Sequence, residues 1–327
     1  MGRAWTVRPG RPEDTPAVLE LFEQTFGKPL SEAAYRWKLL ESPWPLPAPA
    51  TFVATAGDRV VGHLGGTPLR LRLDGRDVPA VHVCDGMVAE DFRRRGIMTA
   101  IGLASNRAWT AGGAALLLAL PTQNWVGLRG RLDYRPAFGL GWLWRPLRLG
   151  SLLAPRLGRG IEVSAVETPG PEFDALWEAI GGQYEALVVR DRAWVTYRYA
   201  AAPGFGYRIL LASARGRPAG YLVYRVLTAR GRPSAWIADL FTAPDDRAAS
   251  AALVRAACSE LRRAGAAALR VFAASGTLVA RHLWRVGFLP RRGAYDVRVG
   301  PLAHELPWSL LRDPSRFFLM GGDFDVI

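Results

Sequence analysis

The feature that most constrains this 327-residue chain is internal repetition. Residues 78–136 lie over 232–290 at a constant shift of 154, without a gap. Asp85 falls on Asp239, Ala89 on Ala243, Asp91 on Asp245, Arg93 on Arg247, Arg131 on Arg285 and Pro136 on Pro290. Upstream, Thr51–Gly62 matches Ile209–Gly220, and the run from Tyr35 to Leu39 matches Val195 to Tyr199. Identities in one order, with turns and apolar runs in step, predict duplication of one folding unit. Each copy is long enough to bury its own core.

Within the first copy, Trp5–Val7 reads as a strand. Pro12 to Pro16 supplies a helix start, with Val18, Leu21, Phe22 and Phe26 following at helical spacing. Ser31 can cap a second helix carrying Tyr35, Trp37 and Leu39. Thr51–Ala56 and Val60–Leu64 form a predicted hairpin about Gly57-Asp58, and Leu69–Leu73 and Ala80–Val88 are further strands. Thr99–Thr110 is a helix, stopped by Gly112-Gly113, and Leu116–Leu120 is a buried strand. This order predicts an α/β unit with a mixed sheet. Residues 141–165, rich in Trp, Arg, Pro and Gly, read as a connector between the halves rather than a membrane-surface segment, because two prolines interrupt them and no helical stripe is present.

Half the residues are apolar and 22% are charged, a globular composition. The net charge of +13 comes almost wholly from arginine; Lys28 and Lys38 are the two lysines. A basic surface attracts nucleic acid, anionic lipid or phosphorylated cofactors, and arginine richness is also what a GC-rich genome produces, so charge alone does not decide. No nucleic-acid-binding motif is present. No uninterrupted apolar run is long enough for a membrane span, and no signal-peptide core opens the chain. Cys84 and Cys258 are too few for a disulfide framework or a metal site. The expectation is a cytoplasmic protein without metal, nucleic-acid partner or membrane span.

The segment Val88-Ala89-Glu90-Asp91-Phe92-Arg93-Arg94-Arg95-Gly96-Ile97-Met98-Thr99 follows a strand and opens a helix. Backbone N–H groups and the positive helix end make such a place an anion cradle. Gly96 leaves room for a diphosphate to reach the main chain, and Arg93, Arg94 and Arg95 add charge. The competing reading is an arginine-rich surface turn.

This segment resembles the phosphate-binding motif of the GNAT acetyltransferase family, Arg/Gln-x-x-Gly-x-Gly/Ala, with Arg93 to Met98 at the motif positions. The resemblance implies two GNAT-like domains, each a mixed, mostly antiparallel sheet flanked by helices. It implies acetyl-CoA as acyl donor, with the amides of Arg94, Arg95, Gly96, Ile97, Met98 and Thr99 on the diphosphate and the main chain of Met87 and Val88 beside acetyl and pantetheine. Met98 replaces a small residue, as in the tandem-domain branch similar to the "enhanced intracellular survival" acetyltransferases. Pro121-Thr122-Gln123-Asn124, ahead of Tyr134, resembles a second family block. Asn124 then contacts pantetheine, or is a strand-end turn residue. Asp133 stands in place of the usual glycine.

The resemblance implies domains at 1–140 and 166–300, a basic connector at 141–165 and a tail at 301–327, with a donor site only in the first domain. In the second copy Arg247-Ala248-Ala249-Ser250 lacks the glycine and two arginines, and Ser250 is expected to cap the helix there. The function implied is transfer of an acetyl group to a small-molecule, sugar or peptide amine by direct attack on the thioester. Alternatives are an aminoacyl or long-chain acyltransferase, or a non-catalytic CoA sensor.

Candidate acid–base groups are several. Asp85 has a carboxylate that an Asp85-Gly86 bulge would turn toward the cleft, although Asp239 at the same place in the second copy points to a structural role. His82 alternates with Cys84 on one strand face. Tyr134 is the phenol nearest the family's usual tyrosine position, which here is Arg129; its other reading is a core aromatic. Finally, the terminal carboxylate of Ile327 could act as a base, or the tail could simply dock.

Overall fold

A computed structural model describes residues 4–121, 125, 130–147, 160–229, 232–274 and 276–325. The chain divides into two compact units, neither continuous in sequence. Unit 1 holds residues 1–71, 77–137 and 297–307, and unit 2 holds 72–76, 138–296 and 308–327.

Unit 1 runs β1 (Thr6–Pro9), α1 (Thr15–Phe26), α2 (Glu32–Leu40), β2 (Thr51–Ala56), β3 (Arg59–Leu73), β4 (Arg76–Val88), α3 (Ile97–Ala111) and β5 (Leu116–Ala119). The second helix is capped as expected, Ser31 Oγ accepting from the Ala34 amide at 3.1 Å. The strand expected at Leu69–Leu73 is not separate. β3 runs through it for 15 residues, because Gly65-Gly66 keeps the backbone extended where Trp109 and Val81 leave no room for a Cβ on Gly66. Sheet order is β1-β2-β3-β4-β5, followed by residues 297–301, whose Arg298 pairs with Ala119 and Pro301 with Leu116. The core gathers Val18, Leu21 and Phe22 of α1, Tyr35 and Leu39 of α2, and Ile97, Ile101 and Trp109 of α3 against the sheet.

Strand β6 (Arg135–Pro146) occupies the first residues of the expected connector. Residues 140–146 pair antiparallel with β12 in unit 2. The rest of unit 2 is β7 (Ile161–Val166), α4 (Glu172–Ile180), β8 (Ala186–Val188), α5 (Arg192–Val195), β9 (Arg208–Ala214), β10 (Arg217–Ala229), β11 (Arg232–Thr242), α6 (Arg247–Arg263), β12 (Ala268–Ala274), α7 (Leu278–Arg285), β13 (Leu289–Pro301, of which residues 297–301 belong to unit 1), α8 (Trp308–Leu311) and β14 (Phe317–Phe318). Its main sheet runs β6-β12-β11-β10-β9-β7, and β14 pairs in parallel with β8. Both units are thus mixed, mostly antiparallel sheets flanked by helices. In each, the central parallel pair is joined by a long helix, β4-α3-β5 and β11-α6-β12. Among the described residues, no helix is long and apolar enough to cross a membrane.

Candidate functional site

In unit 1, β4 and β5 are parallel partners for three residue pairs, Ala80↔Leu116 to His82↔Leu118. β5 then ends at Ala119, while β4 continues to Val88. The strands part after His82, leaving the main chain of residues 83–88 without β5 as a neighbour. His82 is buried at this last rung, its Nδ1 3.3 Å from the Leu118 carbonyl, which can only accept.

Beyond Val88 the chain makes a short turn at Glu90–Phe92 and enters α3. Phe92 is buried and anchors the turn. Arg59 holds the Asp91 carboxylate with two bonds of 2.7 and 3.1 Å. Of the three arginines, Arg93 is tied back to the Val88 carbonyl (Nε, 3.3 Å). Arg95 bonds the Asp91 carbonyl at 2.9 Å and lies over the Phe92 ring. Arg94 makes no hydrogen bond among the described residues and adopts φ +63°.

Gly96 precedes α3 at φ +78°, with open space where a Cβ would stand. Two left-handed residues so close together curl the main chain into a nest. The Arg93 amide bonds back to Glu90, and the Ala100 amide starts the helical ladder on Gly96. Between them the six successive N–H groups from Arg94 to Thr99 donate to nothing among the described residues, and residues 93–96 are exposed. Exposed, aligned donors at the start of a 15-residue helix are suited to a multiply charged anion.

Asp85 does not present its carboxylate to the gap. Lys38 Nζ of α2 lies 2.7 Å from Oδ1 and 2.6 Å from Oδ2, and both side chains are nearly excluded from solvent. His63 of β3, fully buried, donates from Nδ1 to the Asp85 carbonyl at 2.9 Å, and its Nε2 faces the Tyr35 hydroxyl at 3.4 Å. Burial lowers the pKa of His63, so the ring is neutral in this arrangement, and burial raises Tyr35 to about 12. Tyr35, Lys38 and His63 were not candidates on sequence. The available signal was Lys38, a rare lysine on a helix otherwise reading as core.

Tyr134 is buried, and its hydroxyl has no hydrogen-bond partner among the described residues. Desolvation pushes its pKa well up, so it keeps its proton through the neutral range. Its ring meets Trp125 edge-on at 6.2 Å, and Trp125 in turn packs where a side chain on Gly86 of β4 would go. Met87 is buried and Val88 partly so. Asn124 and Ile327, the remaining candidates, lie outside the described residues, as does Arg129.

Residues 6–137 match the family model described as an acetyltransferase (GNAT) domain. This stretch of the chain carries a GNAT acetyltransferase domain. No curated protein matches it in sequence. Solved structures with the same fold include a GCN5-related N-acetyltransferase from Anabaena variabilis, at 14% identity and TM-score 0.69, covering 91% of this chain and 73% of that one. A probable N-acyltransferase from Enterococcus faecalis is similar at 14% identity and TM-score 0.68, covering 90% and 72%. Eis1 from Mycobacterium abscessus is similar at 16% identity and TM-score 0.61, covering 91% and 74%. The GNAT fold therefore extends across both copies, while the family motif lies in the first.

Proposed function

We propose that this GNAT protein transfers an acetyl group from acetyl-CoA to an amine, and that unit 1 holds the donor. The observation that carries the reading is the run of unpaired amides from Arg94 to Thr99 at the start of α3, beside the point where β4 and β5 separate. A diphosphate fits such a nest, and Arg94, which makes no hydrogen bond among the described residues, can lean on it. The pantetheine arm then enters the gap, and the thioester lies along the last residues of β4, Met87 and Val88. Asn124 is assigned to the arm on the strength of the family block alone.

The chemistry needs three things. An alkylamine with a pKa near 10 is almost wholly protonated at neutral pH, so a proton must leave before attack. A main-chain N–H of β4 polarises the thioester carbonyl and steadies the tetrahedral oxyanion. As that intermediate collapses, the C–S bond breaks and the thiolate takes a proton. Tyr134, which holds its proton and has no hydrogen-bond partner among the described residues, is assigned to this last role.

The acceptor is proposed only as a primary amine on a small molecule, sugar or peptide. Titration calorimetry with acetyl-CoA tests the donor site. Wild type binds, and Gly96→Glu, which sets a carboxylate in the nest and strains a left-handed position, weakens binding about 100-fold or more. Equal affinity of the two proteins would remove the assignment.

A further inference from the structure

Asp85 sits inside β4 at φ +50°. For a residue with a Cβ this conformation is unfavourable by about 1–2 kcal/mol and persists only where its surroundings enforce it. Three groups do so. Lys38 grips the carboxylate, His63 grips the carbonyl of the same residue, and Tyr35 faces the far nitrogen of His63. Side chain and main chain of one residue are thus fixed from α2 and β3, and all four residues are buried or nearly so.

The second copy supplies the control. Asp239, at the matching place in β11, is more deeply buried than Asp85 and is likewise paired with a cation, Arg190 Nε at 3.0 Å. Its φ is not positive. Neither the fold nor the burial of an aspartate therefore requires the left-handed turn. The turn occurs in the copy whose amide nest is open, three residues before the end of the strand that borders the gap. A left-handed residue rotates the peptide groups that follow it, here those of Gly86, Met87 and Val88.

We propose that Lys38 and His63 are positioning residues that lock Asp85 in its left-handed turn, so that an amide of the Gly86–Val88 segment points into the gap and receives the carbonyl of an acyl thioester. This inference rests on the donor-site reading above. The aspartate acts by its backbone shape, not as a base.

The test compares two neutral replacements that leave no charge buried, Lys38→Met/Asp85→Ala and Lys38→Met/Asp85→Gly. Glycine adopts the turn without strain and alanine does not. Wild type binds acetyl-CoA about tenfold more tightly than CoA, the increment of one well-made hydrogen bond. The carbonyl band of bound acetyl-CoA labelled with carbon-13 at the acetyl carbonyl moves to lower wavenumber. The alanine variant loses both signatures while keeping CoA affinity within about threefold, because the nest is untouched. The glycine variant retains both. An alanine variant with the wild-type band overturns the proposal, and so does a glycine variant without it, which would mean that the carboxylate acts by its charge. Should the alanine variant not fold, the glycine variant alone decides. An unshifted band in wild type overturns the positioning claim and spares the donor site; failure of wild type to bind either CoA form overturns both.

Discussion

At residues 93–96 the chain is not yet helix, and the amides of residues 94–99 make no hydrogen bond among the described residues; at 247–250, the positions matching 93–96 in the second copy, it is already helix. The decisive difference is one residue. Where the first copy has Phe92, buried and unable to cap, the second has Asp246, whose carboxylate accepts from the Ala249 amide at 2.8 Å. The Asp246 carbonyl accepts from Ser250, and α6 begins four positions earlier than α3 does. Ser250, expected to cap, instead lies inside the first turn, bonded to Thr242 and His282. Ala249 and Ser250 are buried where Arg95 and Gly96 are exposed. The second copy therefore closes its turn by completing a helix, with no need for a bulky side chain to fill the place of the nest.

The copies also differ in how they neutralise their shared aspartate, and the largest expected effect probes this. Arg190 faces two buried carboxylates, Asp239 and Asp323 (Nη2 to Oδ2, 2.7 Å). Tyr221 and Tyr199 donate to Asp239 as well. Arg190→Met should cost about 3–5 kcal/mol in urea denaturation, because both carboxylates lose their counter-charge. Lys38→Met, which strands one carboxylate, should cost less. A reversed order would break the comparison.

Burial and the charge of Asp239 push Asp323 up to about 6. Its folded pKa lies above the unfolded one, so its contribution is complete below about pH 4 and is lost as pH rises through about 6. Melting at pH 4.5 and 7 should show a fall of the order of 2 kcal/mol. Asp323→Asn should flatten it.

Tyr134→Phe sharpens the first copy's side. It removes a buried hydroxyl that has no partner among the described residues, so stability should hold or rise slightly. Turnover on an amine panel with acetyl-CoA should fall about tenfold or more if the phenol supplies the proton. Loss of stability in step with activity would return Tyr134 to the core. Smallest is Asp246→Ala, about 1 kcal/mol from the lost cap. Acetyl-CoA affinity should not change, since the opened turn still lacks a glycine.

The nest was legible in the sequence because its parts are contiguous: a strand, a glycine and a helix within twelve residues. The absence of the glycine and two arginines from the second copy was legible for the same reason, although the capping residue was misassigned by four positions. The Lys38–Asp85–His63 cluster was not, since its members come from α2, β3 and β4 and meet only once the sheet has formed. Strand β6 was hidden by Arg145, which sits at an inward position between Leu143 and Leu147 and breaks the apolar alternation that marks a strand.

The closing strand of unit 1's sheet, residues 297–301, is made after nearly the whole of the second copy. As the polypeptide leaves the ribosome, the half that carries the nest stays unfinished, with β5 exposing an open edge, until the last tenth of the chain arrives. Cutting the gene between the two copies would not yield a minimal enzyme. It would yield a sheet awaiting a strand encoded elsewhere.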